Sequence, residues 1–120
     1  MNPSIAVALV ALAAASPAAA ADPPGAKLFE QCAVCHSIGD GGAEVGPNLK
    51  GLFGRKAGAS EGFPYSRAMQ RSETTWSAET LDRFLADPQA AIPGNRMPFS
   101  GMASKDDRTA LITYLQTATQ

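Results

Sequence analysis

Three observations predict an all-α fold. Apolar residues recur at three- and four-residue steps in separate stretches, no useful length of chain alternates apolar with polar residues, and the stretches are joined by loops rich in glycine and proline. Four to five helices are expected.

The chain opens on a segment outside that fold. Ile5 to Ala15 is an uncharged apolar run, which Ser16-Pro17 breaks and Ala18-Ala19-Ala20-Ala21 follows before Asp22. A run of about 11 residues is too short to span a bilayer as a helix. Small residues after such a run match a secretory cleavage site. Residues 1–21 are therefore expected to be a signal peptide, cut near Ala20, Ala21 or Asp22. Met1 to Ser4 lacks the usual Lys or Arg, and a retained amphiphilic anchor is the alternative. Residues 22–120 then form one small domain of about one hundred residues.

The first helix is expected from Pro24 or Gly25, since proline suits the opening position. Leu28, Phe29, Cys32 and Cys35 or His36 continue it with helical spacing. Residues 37–60 carry seven glycines and read as a long loop. A short helix is expected near Ser66 to Gln70. Another runs from Ser77 to Ala86, with Ser77 as cap and Leu81, Phe84 and Leu85 as its buried stripe. Pro88 halts or kinks it, because the residue before a proline is pushed away from helix. The last helix starts at Ser104. Ser104-Lys105-Asp106-Asp107 has the form of a capping box, and Leu111, Ile112, Tyr114 and Leu115 make its apolar face.

The chemistry-bearing motif is Cys32-Ala33-Val34-Cys35-His36, which holds both cysteines and the only histidine. Two thiols three residues apart share a helix face, and a histidine follows at once. That spacing is a c-type haem attachment signature, with Cys32 and Cys35 as covalent anchors and His36 as the iron ligand. A thioredoxin-like pair needs a βαβ setting that the chain lacks. A structural zinc site needs four ligands. A disulfide between these cysteines would close a very small loop and leave the histidine a coincidence. With no second histidine, the candidates for the other axial position are Met69, Met97, Met102 and, more remotely, a lysine. Met97 lies in a constrained apolar turn between Ile92-Pro93-Gly94 and Pro98-Phe99, and the residues favour it.

Every charged side chain lies from Asp22 onward, so the mature chain keeps the formal charge of −1. That balance argues against nucleic acid and against a strongly basic docking face.

The mature chain resembles the class I cytochromes c, in particular small soluble bacterial monohaem types related to the mitochondrial carrier. The likeness runs from Gly25 to about Gln116. It rests on ordered segments: Gly25-x-x-x-Phe29, Cys32-x-x-Cys35-His36, Gly46-Pro47-Asn48-Leu49, Leu52-Phe53-Gly54-Arg55, Phe63-x-Tyr65, Trp76, Leu81-x-x-Phe84-Leu85-x-x-Pro88, Ile92-Pro93-Gly94-x-x-Met97-x-Phe99 and Leu111-Ile112-x-Tyr114-Leu115. The resemblance implies terminal helices packed together around one covalent haem c, with His36 and Met97 as axial iron ligands. It implies that the Pro47 carbonyl accepts from His36, and that Arg55, Tyr65 and Trp76 meet the haem propionates. It implies a non-enzymatic, monomeric, periplasmic electron carrier, meeting membrane redox complexes or periplasmic oxidoreductases transiently. A haem peroxidase or gas-binding protein with a labile sixth ligand, or a dedicated subunit of a dehydrogenase complex, is the alternative. The chain departs from the family pattern at several positions. Phe84 stands where tyrosine is common, Met69 where asparagine is, and Gln89 and Ala90 replace docking lysines. Asn95 replaces a threonine commonly near a propionate, and its amide keeps the capacity to donate.

Overall fold

The computed structural model describes residues 3–4, 8–16, 22–41 and 45–120. Ala20 and Ala21, at the expected cleavage site, and Gly42 of the glycine loop lie outside the described residues. Among the described residues there are five helices and no strand: α1 (Pro24–Ala33), α2 (Arg67–Arg71), α3 (Ala78–Ala86), α4 (Pro88–Ala91) and α5 (Lys105–Ala118). One isolated bridge, Lys56 with Thr75, ties the long loop to the segment before α3. No described helix is long and apolar enough to cross a membrane.

Each helix starts where local chemistry permits. Pro24 occupies the first turn of α1, where its missing N–H costs nothing. The Ser66 side chain accepts from the Met69 N–H at the head of α2. Ser77 and Thr80 exchange side-chain and backbone hydrogen bonds as a full capping box on α3. At α5 the Ser104 hydroxyl accepts from the Asp107 N–H at 3.2 Å, and Asp106 and Asp107 sit at the positive end of the helix dipole. Pro88 does more than halt α3. It opens a new short helix, α4, because Asp87 turns extended and its carboxylate caps the Ala90 N–H at 3.1 Å.

The terminal helices meet at Gly25. A Cβ there would lie 2.3 Å from the Ala110 carbonyl oxygen and 2.4 Å from the Tyr114 Cβ, so only glycine lets α1 approach α5 this closely. One turn later the Phe29 and Tyr114 rings pack with centroids 5.7 Å apart. Leu111, Ile112 and Leu115 of α5 join Leu81, Phe84 and Leu85 of α3 in the core. Outside the core, Asp82 of α3 accepts from Arg108 Nε at 2.8 Å and Lys105 Nζ at 3.2 Å. Arg108 also donates to the Met102 and Ala103 carbonyls, which fixes the approach to α5.

Gly25→Ala is expected to destabilise the holoprotein by about 1–3 kcal/mol, because helix backbones cannot yield as a flexible side chain would; denaturant unfolding measures it. The Arg108 hydrogen bond, followed by that of Lys105, holds the Asp82 carboxyl below its ordinary range. A depressed carboxyl contributes stability above its unfolded pKa and loses it as pH falls through the folded one. Wild type should therefore lose stability more steeply than Asp82→Asn below about pH 4 in acid-unfolding titrations.

Candidate haem site

The last turn of α1 delivers the motif. The His36 N–H reaches back to the Cys32 carbonyl at 2.9 Å, so the chain is still helically coiled as it leaves the helix. Cys32 and Cys35 both face one cavity of about 500 Å³, together with His36 and Met97. That volume suits a cofactor-sized ligand. Burial pushes the Cys32 thiol pKa up, and the neighbouring Cys35 adds to the rise.

Two consecutive loop residues, Gly46 and Pro47, meet the imidazole along its Nδ1–Cε1 edge. His36 Nδ1 lies 2.7 Å from the Pro47 carbonyl oxygen; as that oxygen can only accept, the bond fixes the proton on Nδ1 and leaves Nε2 as the basic nitrogen. Gly46 backs the ring: a Cβ there would sit 2.7 Å from His36 Cε1 and 2.9 Å from Nδ1. The Gly46 N–H donates to the Cys35 carbonyl at 2.9 Å, which locks the loop to the motif it supports.

The methionines separate by position. Met97 is half-buried and borders the cavity. Met69 also borders it, from within α2. Met102 is buried in the core, its N–H bonded to the Leu85 carbonyl at 2.8 Å, and it is not among the residues lining the cavity.

Arg55, Tyr65 and Trp76 all line the cavity. The Arg55 guanidinium spans the loop, donating to the Lys50 carbonyl at 2.9 Å and the Asn48 carbonyl at 3.1 Å, with further N–H groups remaining. The Tyr65 oxygen accepts from the Ser60 N–H at 3.2 Å, and its own hydrogen remains to be donated. Trp76 packs edge-on against Phe84 with centroids 5.1 Å apart, and its indole N–H can only donate. Three donors of this kind on one apolar cavity suit a ligand that carries carboxylates.

The structure engages the Asn95 amide elsewhere than at a propionate. Its Nδ2 donates to the Pro88 carbonyl at 2.9 Å and the Ile92 carbonyl at 2.8 Å, which uses both hydrogens. Each carbonyl already accepts one backbone N–H, from Ile92 and Asn95 respectively, and the amide fills the second lone pair on each as the chain turns back after α4. Two residues were missed by sequence reasoning. Gly46 was visible only as part of a motif, and nothing marked its contact with His36. Arg96 lines the cavity and donates to the Pro64 carbonyl at 2.6 Å, across 32 residues of sequence; no local signal announces such a contact.

The fold and this site define a class I cytochrome c. The chain matches the Cytochrome c family model over residues 23–119 and belongs to that family. It is 46% identical over 109 residues to cytochrome c2 of Blastochloris viridis, covering 89% of this chain and 86% of that protein. It is 46% identical over 98 residues to cytochrome c of Stellaria longipes, covering 80% of this chain and 91% of that one. The solved structure of cytochrome cH from Methylobacterium extorquens superposes with a TM-score of 0.75 at 38% identity, covering 78% of this chain and 95% of that one. As a member of this family the chain carries covalently bound haem c with iron and works as an electron carrier. The paired thiols, the oriented imidazole and the cavity they border fit that group.

Gly46→Ala should force the His36 ring or its loop to shift, since no ordinary contact places a Cβ that near a ring atom. The expected result is a perturbed haem absorption spectrum and a loss of about 1–3 kcal/mol of stability; an unaltered spectrum and unfolding midpoint would contradict the close packing.

Proposed function

We propose that this protein is an exported, monomeric, periplasmic one-electron carrier whose iron is held between His36 and Met97. The observation that carries the reading is the convergence of Cys32, Cys35, His36 and Met97 on one cavity, with the imidazole already oriented by the Pro47 carbonyl. Haem c supplies a metal that alternates between ferric and ferrous forms. Cys32 and Cys35 would hold it by two thioethers, His36 Nε2 and the Met97 thioether would ligate its iron, and Arg55, Tyr65 and Trp76 would donate to its propionates. An imidazole–thioether pair favours a raised potential and leaves oxygen or peroxide no open position, so the residues are arranged for electron exchange rather than for oxygen chemistry.

Export is supported by the uncharged Ile5–Ala15 run and the alanines after it. Residues 1–21 would be removed, leaving 22–120 as the working domain. Partners are membrane redox complexes or periplasmic oxidoreductases, engaged briefly at the thioether edge. Val34, which lies between the two cysteines and is 76% exposed, is an apolar contact there, and small contact areas suit transient electron-transfer encounters.

Met97→Ala tests the ligand set. The variant should keep its haem but lose the far-red ferric absorption band of methionine–iron ligation, and its ferrous form should bind carbon monoxide. The parent should show the band and resist carbon monoxide. A variant that keeps the band would overturn Met97 as ligand, and a parent that binds carbon monoxide readily would favour the open-site alternative.

A further inference from the structure

The segment from Asp87 to Met97 is tied to itself by two neutral carboxamides. Gln89, on α4, grips the turn that follows: its Nε2 donates to the Asn95 carbonyl at 2.7 Å and its Oε1 accepts from the Gly94 N–H at 3.1 Å. Asn95, only 5% exposed, carries the grip onward. Besides its bonds to the Pro88 and Ile92 carbonyls, its Oδ1 accepts from the Met97 N–H at 3.0 Å. Gly94 makes the turn possible with φ +90°. The Met97 backbone thus hangs from Asn95, the Asn95 backbone from Gln89, and Gln89 from a helix capped by Asp87.

A methionine side chain is flexible, and its thioether is a weak ligand. Its hold on a metal therefore depends on how little ordering remains to be done when it binds, and a backbone fixed beforehand lowers that cost. Asn95 is buried and has a structural duty of its own. Gln89 is exposed and outside the core, yet both ends of its amide are engaged on the Met97 loop.

We propose that Gln89 is a positioning residue for Met97: its carboxamide clamps the turn at Gly94 and Asn95 and thereby holds the thioether in place against competing ligands. The inference rests on the reading of Met97 as an iron ligand. Gln89 itself need not touch the cofactor. The clamp contains no ionised group, so its strength is independent of salt.

The test is an imidazole titration of ferric holoprotein, followed by loss of the far-red band, for the parent, Gln89→Ala and Gln89→Met. Methionine preserves the length of the side chain without its hydrogen bonds, so agreement between the two variants assigns the effect to the amide. Thermal unfolding is recorded alongside, and Met97→Ala serves as control. Both variants should show the band without imidazole, yet bind imidazole about tenfold more tightly than the parent, as expected for the loss of two hydrogen bonds from the closed form. Imidazole affinities within about twofold of the parent, with the band absent in Met97→Ala, would overturn the role of Gln89 and leave Met97 as ligand. A lowered unfolding midpoint with unchanged imidazole affinity would make Gln89 purely structural and overturn the proposal equally. If Met97→Ala keeps the band, the reading beneath the proposal fails and takes it down as well.

Discussion

The hydrogen bond between His36 Nδ1 and the Pro47 carbonyl is the constraint on which the site depends. An unrestrained imidazole would rotate about two side-chain bonds and exchange its proton between both nitrogens. A fixed carbonyl at 2.7 Å removes both freedoms at once. The carbonyl can serve only because its own loop is fixed. Gly46 lets that loop lie against the ring, and the Leu49 N–H returns to the Ser37 carbonyl at 2.8 Å. Gly46 is thus part of the haem site's architecture, although it presents no functional group.

The helical framework decides where that constraint acts. The motif sits at the end of α1, so its position follows from how α1 lies on α5, and Gly25 permits a crossing close enough for Phe29 and Tyr114 to pack. On the other side, α3 packs on α5 and passes through Asp87 into α4, which presents the loop bearing Met97. Histidine and methionine are therefore supplied by separate segments that share α5 as a common support. A change in that support would alter both.

Much of this was legible in the chain. Periodic apolar stripes gave α1, α3 and α5 because each is amphipathic over at least two turns. Ser66, Ser77 and Ser104 marked helix starts because a serine oxygen satisfies an otherwise unpaired N–H. The haem motif was legible because its chemistry is confined to five consecutive residues. What escaped was non-local or dual in meaning. Pro88 reads as a stop and also as a start, and only the neighbouring Asp87 cap distinguishes them. Asn95 offers the same amide to a ligand or to its own backbone, and the choice depends on a turn that no short window contains. The reach of Arg96 to Pro64 and the pressure of Gly46 on His36 depend on tertiary approach alone.

The most direct measurement is X-ray absorption at the iron of the ferric holoprotein. The account predicts a six-coordinate metal with porphyrin nitrogens in the plane, one imidazole nitrogen on the axis and one sulfur scatterer opposite it. A first shell of nitrogen and oxygen alone, without sulfur, would contradict it.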